Sequence, residues 1–273
     1  FIKCLVLSVL ELALFRRLYY PNFNSYQSDM NRVHQLYLHR KSLSTKPFNA
    51  RGKGVNRCEK CRVAIENCLC DLSHQVESNA AFVLLMYDTE VLKPSNTGKL
   101  IADVIPDCWA FLWSRTEREE ALLALLNDPK WQPFVVFPEQ YADEERVRKS
   151  VTLDNNKRPL FIMLDGSWRE AKKMFTKSEY LHQFPVLSID PQLLEDSTFK
   201  SQYHIRKTDK PEQLATAEVA SMVLALLGEE KNAAVLNAWF DTFSYRYQKS
   251  VYQTNKGDKT AEQRYLSLVD SNS

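Results

Sequence analysis

From residue 80 onward the apolar positions fall into short unbroken runs, separated by stretches with helical spacing. Residues 81–87 are apolar almost throughout, the pattern of a strand buried on both faces. A polar loop follows, then a helix near 99–104 and a strand at 111–113. A helix is expected over 117–126, with Leu122, Leu123, Leu125 and Leu126 as its apolar face and Asn127-Asp128-Pro129 ending it. Residues 134–137, 160–164 and 186–189 are β-like and bounded by proline or charge. Helical patterns cover 169–177, 211–227 and 233–249, and the last twenty or so residues are polar and expected to be loose. Strands alternating with helices predict an α/β domain, a mostly parallel sheet flanked by helices.

Sheets of this kind bind ligands at the carboxyl ends of their strands. Those ends are Tyr87-Asp88-Thr89-Glu90, Phe137-Pro138-Glu139-Gln140, Leu164-Asp165-Gly166-Ser167-Trp168 and Ile189-Asp190-Pro191. Four acidic turns predict one pocket assembled from several loops. The chain has no Gly-x-Gly-x-x-Gly and no phosphate-binding lysine loop, so nucleotide dehydrogenases and P-loop ATPases are poor fits.

Four of the six cysteines change the picture more than overall composition does. Cys58-x2-Cys61-x6-Cys68-x-Cys70 offers four thiolates on one short loop, enough to close a tetrahedral shell around zinc, and iron fits the same donors. A four-thiolate shell has no open position, so its role would be structural. Cys4 and Cys108 read as apolar fillers. The net charge of +2 decides little, but its distribution is uneven. Between Met30 and Arg57 lie Arg32, Arg40, Lys41, Lys46, Arg51, Lys53 and Arg57 with no acid among them. That is the pattern of a segment following a phosphate backbone, or of a solvated lead-in. Arg51, Lys53, Arg57, Lys60 and Arg62 are the candidate RNA-binding cations; Arg57, Lys60 and Arg62 also flank the thiolates and offset their charge.

Residues 1–15 are apolar but too short, and too interrupted by Lys3 and Glu11, for a membrane span. They lack the form of a signal peptide, and 1–29 is expected to be an extension or a mis-called start. A reducing cytoplasmic compartment, where clustered cysteines favour metal over disulfides, is the matching expectation. The expected organisation is then 1–29 as extension, 30–79 as basic arm and cysteine knuckle, 80–250 as catalytic domain, and 251–273 as tail.

Five motifs fall in a recognisable order: the cysteine knuckle, Asp88-Thr89-Glu90, Lys93-Pro94-Ser95-Asn96-Thr97-Gly98, Asp165-Gly166-Ser167-Trp168 and Ala215-Thr216-Ala217-Glu218. In this order they resemble the DTW-domain family of tRNA-uridine aminocarboxypropyltransferases, over roughly residues 30–250. Ser167 stands where the family name has threonine, and a hydroxyl is kept. The resemblance implies a SPOUT-like fold in which the chain threads a knot around S-adenosylmethionine. It also implies transfer of the 3-amino-3-carboxypropyl group to N3 of a variable-loop uridine (position 47) of tRNA, releasing 5′-methylthioadenosine. The knuckle would hold structural zinc. Two other readings stay open: a SPOUT-type RNA methyltransferase, and a non-catalytic zinc protein that binds RNA.

Such chemistry needs the uridine nitrogen in line with the chosen carbon–sulfur bond, and its proton removed. Asp165 is the candidate base or imide acceptor, with capping of helix 169–177 as the plainer role. Ser167 and Trp168 complete the candidate catalytic set; the indole could stack on a base or sit in the core. Asn96, Thr97 and Gly98 could receive the cofactor carboxylate at a helix start or merely cap it. Pro138, Glu139, Leu164, Gly166 and Thr216 are the remaining candidate cofactor contacts at strand and helix ends. Arg206 could pair with a carboxylate or phosphate. Glu218 could face the pocket, toward the cofactor amine, or face solvent.

Overall fold

The structure, a computed structural model, describes residues 30–46, 48, 52, 54–154, 156–189 and 214–270. The expectations placed on 1–29, Arg51, Lys53, Asp190-Pro191 and Arg206 lie outside the described residues. In chain order the elements are α1 (Arg32–Ser42), β1 (Ala81–Met86), α2 (Gly98–Val104), β2 (Cys108–Leu112), α3 (Glu120–Asn127), β3 (Trp131–Val136), β4 (Val147–Arg148), β5 (Arg158–Asp165), α4 (Trp168–Lys177), β6 (Val186–Leu187), α5 (Thr216–Leu226), α6 (Glu230–Val251) and α7 (Ala261–Asp270).

The strands form one sheet in the order β2-β1-β5-β3-β6-β4. Every pairing is parallel, as the alternation of strands and helices predicts. From β2 the chain passes over a vacant position to start β3, and β5 later fills that position between β1 and β3. The centre of the sheet is therefore closed by a strand that arrives late in the chain. Its carboxyl end lies where the winding changes direction, the usual place for a ligand.

Period-two alternation assigns each strand residue to a face. Phe82, Leu84 and Met86 of β1, with Phe161 and Met163 of β5, pack under α2, α5, α6 and the cysteine loop. Val83 and Leu85, with Leu160, Ile162 and Leu164, pack under α3 and α4. By the same parity Asp165, following Leu164, points to the α2–α5 face. That direction decides its role.

Three differences from the sequence expectations have clear causes. The basic segment forms a helix, α1, where an extended arm or loose lead-in was expected. Asn31 caps it by accepting from His34 N at 2.9 Å, and Val33 and Leu36 join the core. Its Arg40 donates to Asp88 at 2.8 Å, so that cation is held by the protein itself. The polar tail expected to be loose contains α7, pinned by fully buried Tyr265. The Tyr265 hydroxyl donates to Leu72 O at 3.0 Å and accepts from His74 N at 3.1 Å. Burying such a ring contributes roughly 2 kcal/mol, enough to hold a short amphipathic helix. Strand β2 ends at Leu112, one residue before the expected limit, and the Trp113 indole turns to donate to Ser178 Oγ at 2.9 Å.

Candidate functional site

Asp165 ends β5 opposite Met86 of β1 and is only 2% exposed. One carboxylate oxygen accepts from Asn96 Nδ2 at 2.6 Å, the other from Thr216 Oγ1 at 2.6 Å. The same Asn96 amide reaches Glu90 Oε1 at 3.3 Å, and Lys93 Nζ pairs with Glu90. Asn96 Oδ1 accepts from Lys99 N at 3.1 Å and so caps the start of α2. Glu90, Asn96, Asp165 and Thr216, from three separate stretches of chain, thus form one buried hydrogen-bonded chain.

Asp165 therefore does not cap α4. That helix begins at Ser167, whose N and Oγ both donate to Glu170 Oε2, at 2.7 and 2.6 Å. Gly98 is required by the same contact: a Cβ there would lie 2.6 Å from Asp165 Oδ2. Glu218 is 5% exposed and does not face solvent. Its carboxylate accepts from Ala215 N at 2.8 Å, closing the start of α5 next to Thr216. Thr97 is buried beside Asn96, and Gly166 is half-buried between β5 and α4.

Trp168 belongs to neither the core nor an open surface. It is 38% exposed, lies flat on Phe137 (5.6 Å between centroids, 11°) and meets Tyr141 edge-on at 5.7 Å. Pro138 follows Phe137 after β3, and its carbonyl accepts from Tyr141 N at 3.2 Å. Sequence reasoning missed Phe137 and Tyr141 as partners, because only strand order brings β3 beside β5. The three acidic turns among the described residues do not share one fate. Glu90 and Asp165 are joined through Asn96, whereas Asp88 pairs with Arg40 and exposed Glu139 with Lys149. The Glu139 amide donates to Ser188 Oγ at 3.1 Å, tying its turn to the end of β6.

A sequence model of the DTW domain matches residues 55–248. The chain belongs to the DTW-domain family. Among curated relatives, tRNA-uridine aminocarboxypropyltransferase 2 of Drosophila melanogaster is 26% identical over 196 residues, covering 68% of this chain and 70% of that one. No solved structure matches the chain.

The DTW domain so delimited includes the cysteine knuckle. The four sulfurs lie within 4.8 Å of one another, with Cys58–Cys70 at 3.5 Å and Cys61–Cys68 at 3.7 Å. A tetrahedral ion with sulfurs at 2.3 Å would separate them by roughly 3.8 Å, so the donors fit a closed four-thiolate site. Burial alone would raise the Cys58 thiol, but N–H groups of Cys61 and Lys60 and the neighbouring sulfurs bring it down to about 7. The turn is built by Cys58 N donating to Val63 O at 2.8 Å and Arg62 N to Cys58 O at 2.9 Å. It places Arg62 at φ 63°, a left-handed conformation rare for a side chain of that size.

Arg62 was expected to present its charge to RNA. It is 4% exposed, stacks on Tyr37 at 4.6 Å, and donates to Val91 O. Burial lowers it to about 10. Arg57 donates to Arg62 O at 3.0 Å and covers Tyr247, bracing the knuckle. Lys60 remains exposed. Lys99 of α2 is buried and donates to Cys61 O and to Pro94 O. Its ammonium is pushed well below the usual range, first by burial and then by Arg62. The knuckle thus grips both ends of the loop 91–99 that carries Asn96. Within the DTW domain the cysteine loop and the Asp165 cluster form one continuous structure.

Proposed function

We propose that this protein transfers the 3-amino-3-carboxypropyl group of S-adenosylmethionine to N3 of a variable-loop uridine (position 47) of tRNA, leaving 5′-methylthioadenosine. Family membership and the named activity of the fly relative support this reading. One structural observation carries it: Asp165 accepts from both Asn96 and Thr216, so that the family's separate motifs meet at the carboxyl end of the central strand. The SPOUT-like knot implied by the resemblance, and a cytoplasmic location, belong to the same reading. Among the described residues no helix is long and apolar enough to cross a membrane.

The residues present fit a cationic donor molecule. Glu90, Asp165 and Glu218 bring buried carboxylates to the starts of α2 and α5, the charge that a sulfonium and an ammonium would need nearby. S-adenosylmethionine supplies an electrophilic carbon next to a good leaving group. The main chain of Leu164 and Gly166, the Pro138–Glu139 turn and the 96–98 turn would frame it. Arg206 would take its carboxylate.

Asp165 serves as the fixed acceptor that sets α2 and α5 around the donor. With one oxygen taken by Asn96 and the other by Thr216, the carboxylate is occupied as an anchor for both helices. As N3 of uridine bonds to the γ-carbon and the carbon–sulfur bond breaks to leave 5′-methylthioadenosine, the N3 imide proton would pass to water at the open side of the site. Trp168 offers its exposed face to the uracil ring, and Ser167 fixes the start of the helix that carries it. The knuckle holds zinc as a structural ion.

Mass spectrometry of unmodified tRNA after incubation with the protein and S-adenosylmethionine tests the reading. A gain of about 101 daltons on one uridine is expected, the mass of the transferred group less one proton. A gain of about 14 daltons would mean methyl transfer from the same site, and unmodified RNA without cofactor binding would leave a binding protein.

A further inference from the structure

The exposed face of α4 carries a charge arrangement that folding does not ask for. Ala171, Met174 and Phe175 bury one face of this helix. On the other side, exposed Arg169, Lys173 and Lys177 follow one another at four-residue spacing. Like charges at that spacing repel and weaken a helix by a few tenths of a kilocalorie per pair. The neighbouring stripe begins with Trp168 and continues with Lys172, again four residues on. The only acid in the helix, Glu170, is occupied by Ser167.

Elsewhere three surface lysines have carboxylate partners, Lys130 with Asp128, Lys149 with Glu139 and Lys157 with Asp154, so it is the like-charged four-residue spacing more than the lack of a partner that sets α4 apart. Among the described residues none of the four α4 cations forms an ion pair. Two are instead placed over rings, Lys172 at 4.5 Å from the Tyr141 centroid and Lys173 at 5.5 Å from that of Trp113. A ring positions an ammonium without neutralising it. Trp168, stacked on Phe137 in the aromatic shelf, stands next to the head of this row.

We propose that the exposed face of α4 is the surface on which tRNA docks, with Arg169, Lys173 and Lys177 following the phosphates that flank the target loop and Trp168 stacking on an unpaired base. The inference rests on tRNA being the substrate. It replaces the cysteine-loop arginines as the main phosphate contacts, since Arg62 is buried and Arg57 covers Tyr247. Aromatic stacking at the head of a cationic row is how single-stranded loops are gripped, and loops are where sequence-specific RNA recognition happens.

The test is binding of an unmodified tRNA transcript by the full chain across a salt series. The wild type is compared with Arg169→Gln/Lys173→Gln/Lys177→Gln and with Trp168→Ala. The triple variant should bind at least tenfold more weakly at moderate salt, its slope of log affinity against log salt shallower by about one per cation removed. Its melting temperature should stay level or rise, because a self-repelling row is gone. A merely structural row would lower it. Trp168→Ala should lose about tenfold to a hundredfold in affinity at an unchanged salt slope. Equal affinity and slope in wild type and triple variant would overturn the α4 surface while leaving the transferase reading intact. A wild type that binds no tRNA, while still binding S-adenosylmethionine, would overturn the tRNA substrate and the docking surface together.

Discussion

Gly98 and Asp165 occupy one another's space: a side chain on Gly98 would begin 2.6 Å from Asp165 Oδ2. The start of α2 is pressed onto the end of β5 by the absence of a single methyl group. Gly98→Ala must either push the carboxylate from Asn96 and Thr216 or lift α2. Overpacking of this kind costs roughly 1–3 kcal/mol. The melting temperature should fall by several degrees, with transfer activity lost as well. Gly54→Ala, which meets nothing within 4 Å, is the control and should change neither. A Gly98→Ala protein with unaltered melting would show that the contact can relax at no cost.

Asp165→Asn separates anchoring from proton transfer. The new amide would face the Asn96 amide with its own N–H groups or lose the Thr216 donor, leaving one buried polar group unsatisfied at about 1–3 kcal/mol. Thr216→Val leaves the carboxylate in place and removes one donor. If Asp165 is an anchor, both variants lose stability and transfer together, and Thr216→Val lowers kcat by roughly tenfold or more. A Thr216→Val enzyme with full kcat, beside an inactive Asp165→Asn enzyme of normal stability, would restore the base reading.

Removing the metal should silence the site from a distance. Cys61 O holds Lys99, and Arg62 holds Val91 O, so unravelling the knuckle frees the loop that carries Asn96. Chelation or Cys68→Ser is expected to lower the melting temperature and abolish transfer, and zinc added back to the chelated protein should restore both. Full activity in a protein shown by elemental analysis to be metal-free would refute the connection.

Asp241 of α6 gives a pH signature. Burial pushes its carboxyl up to about 7, against the opposing pull of Arg264 and with the help of Glu218 and Asp258. The folded state therefore holds this proton more tightly than the unfolded chain does. Its contribution is favourable at low pH and is lost as pH rises from about 4 through 7. Asp241→Asn should leave stability at pH 5 little changed and raise it by about 1–3 kcal/mol at pH 8, even though Arg264 loses a partner 2.6 Å away. Denaturant melts at the two pH values decide; a difference independent of pH would show that Asp241 is ionised throughout.

Much of this architecture can be read from the chain, and what cannot has physical reasons. The runs 81–86 and 160–164 announce themselves because burial on both faces keeps polar residues out of them. The two-residue strands β4 and β6 carry too few positions for any period, although the β6 run itself is apolar. Helix α1 is hidden by its lysines and arginines, which suit a surface helix as well as an RNA arm. Helix α7 is hidden because two buried residues suffice to dock it. The cysteine spacing shows the metal donors but not that Arg62 and Lys99 turn inward from them. Asp165 is conspicuous in the sequence. Its contacts are not, since Asn96 and Thr216 are remote along the chain and only the late insertion of β5 brings them together.

That late insertion also governs when the site exists. The position between β1 and β3 stays empty until β5 has been synthesised, and Thr216 follows roughly fifty residues later. A chain ending before Thr216 can join Asp165 only to Asn96, so a truncated or nascent chain should be inert however well its amino-terminal half has folded. On heating or in denaturant, activity should vanish in the same transition that melts the sheet. The enzyme's working state and its folded state are then one cooperative event, and an activity assay doubles as a measure of the whole molecule's integrity.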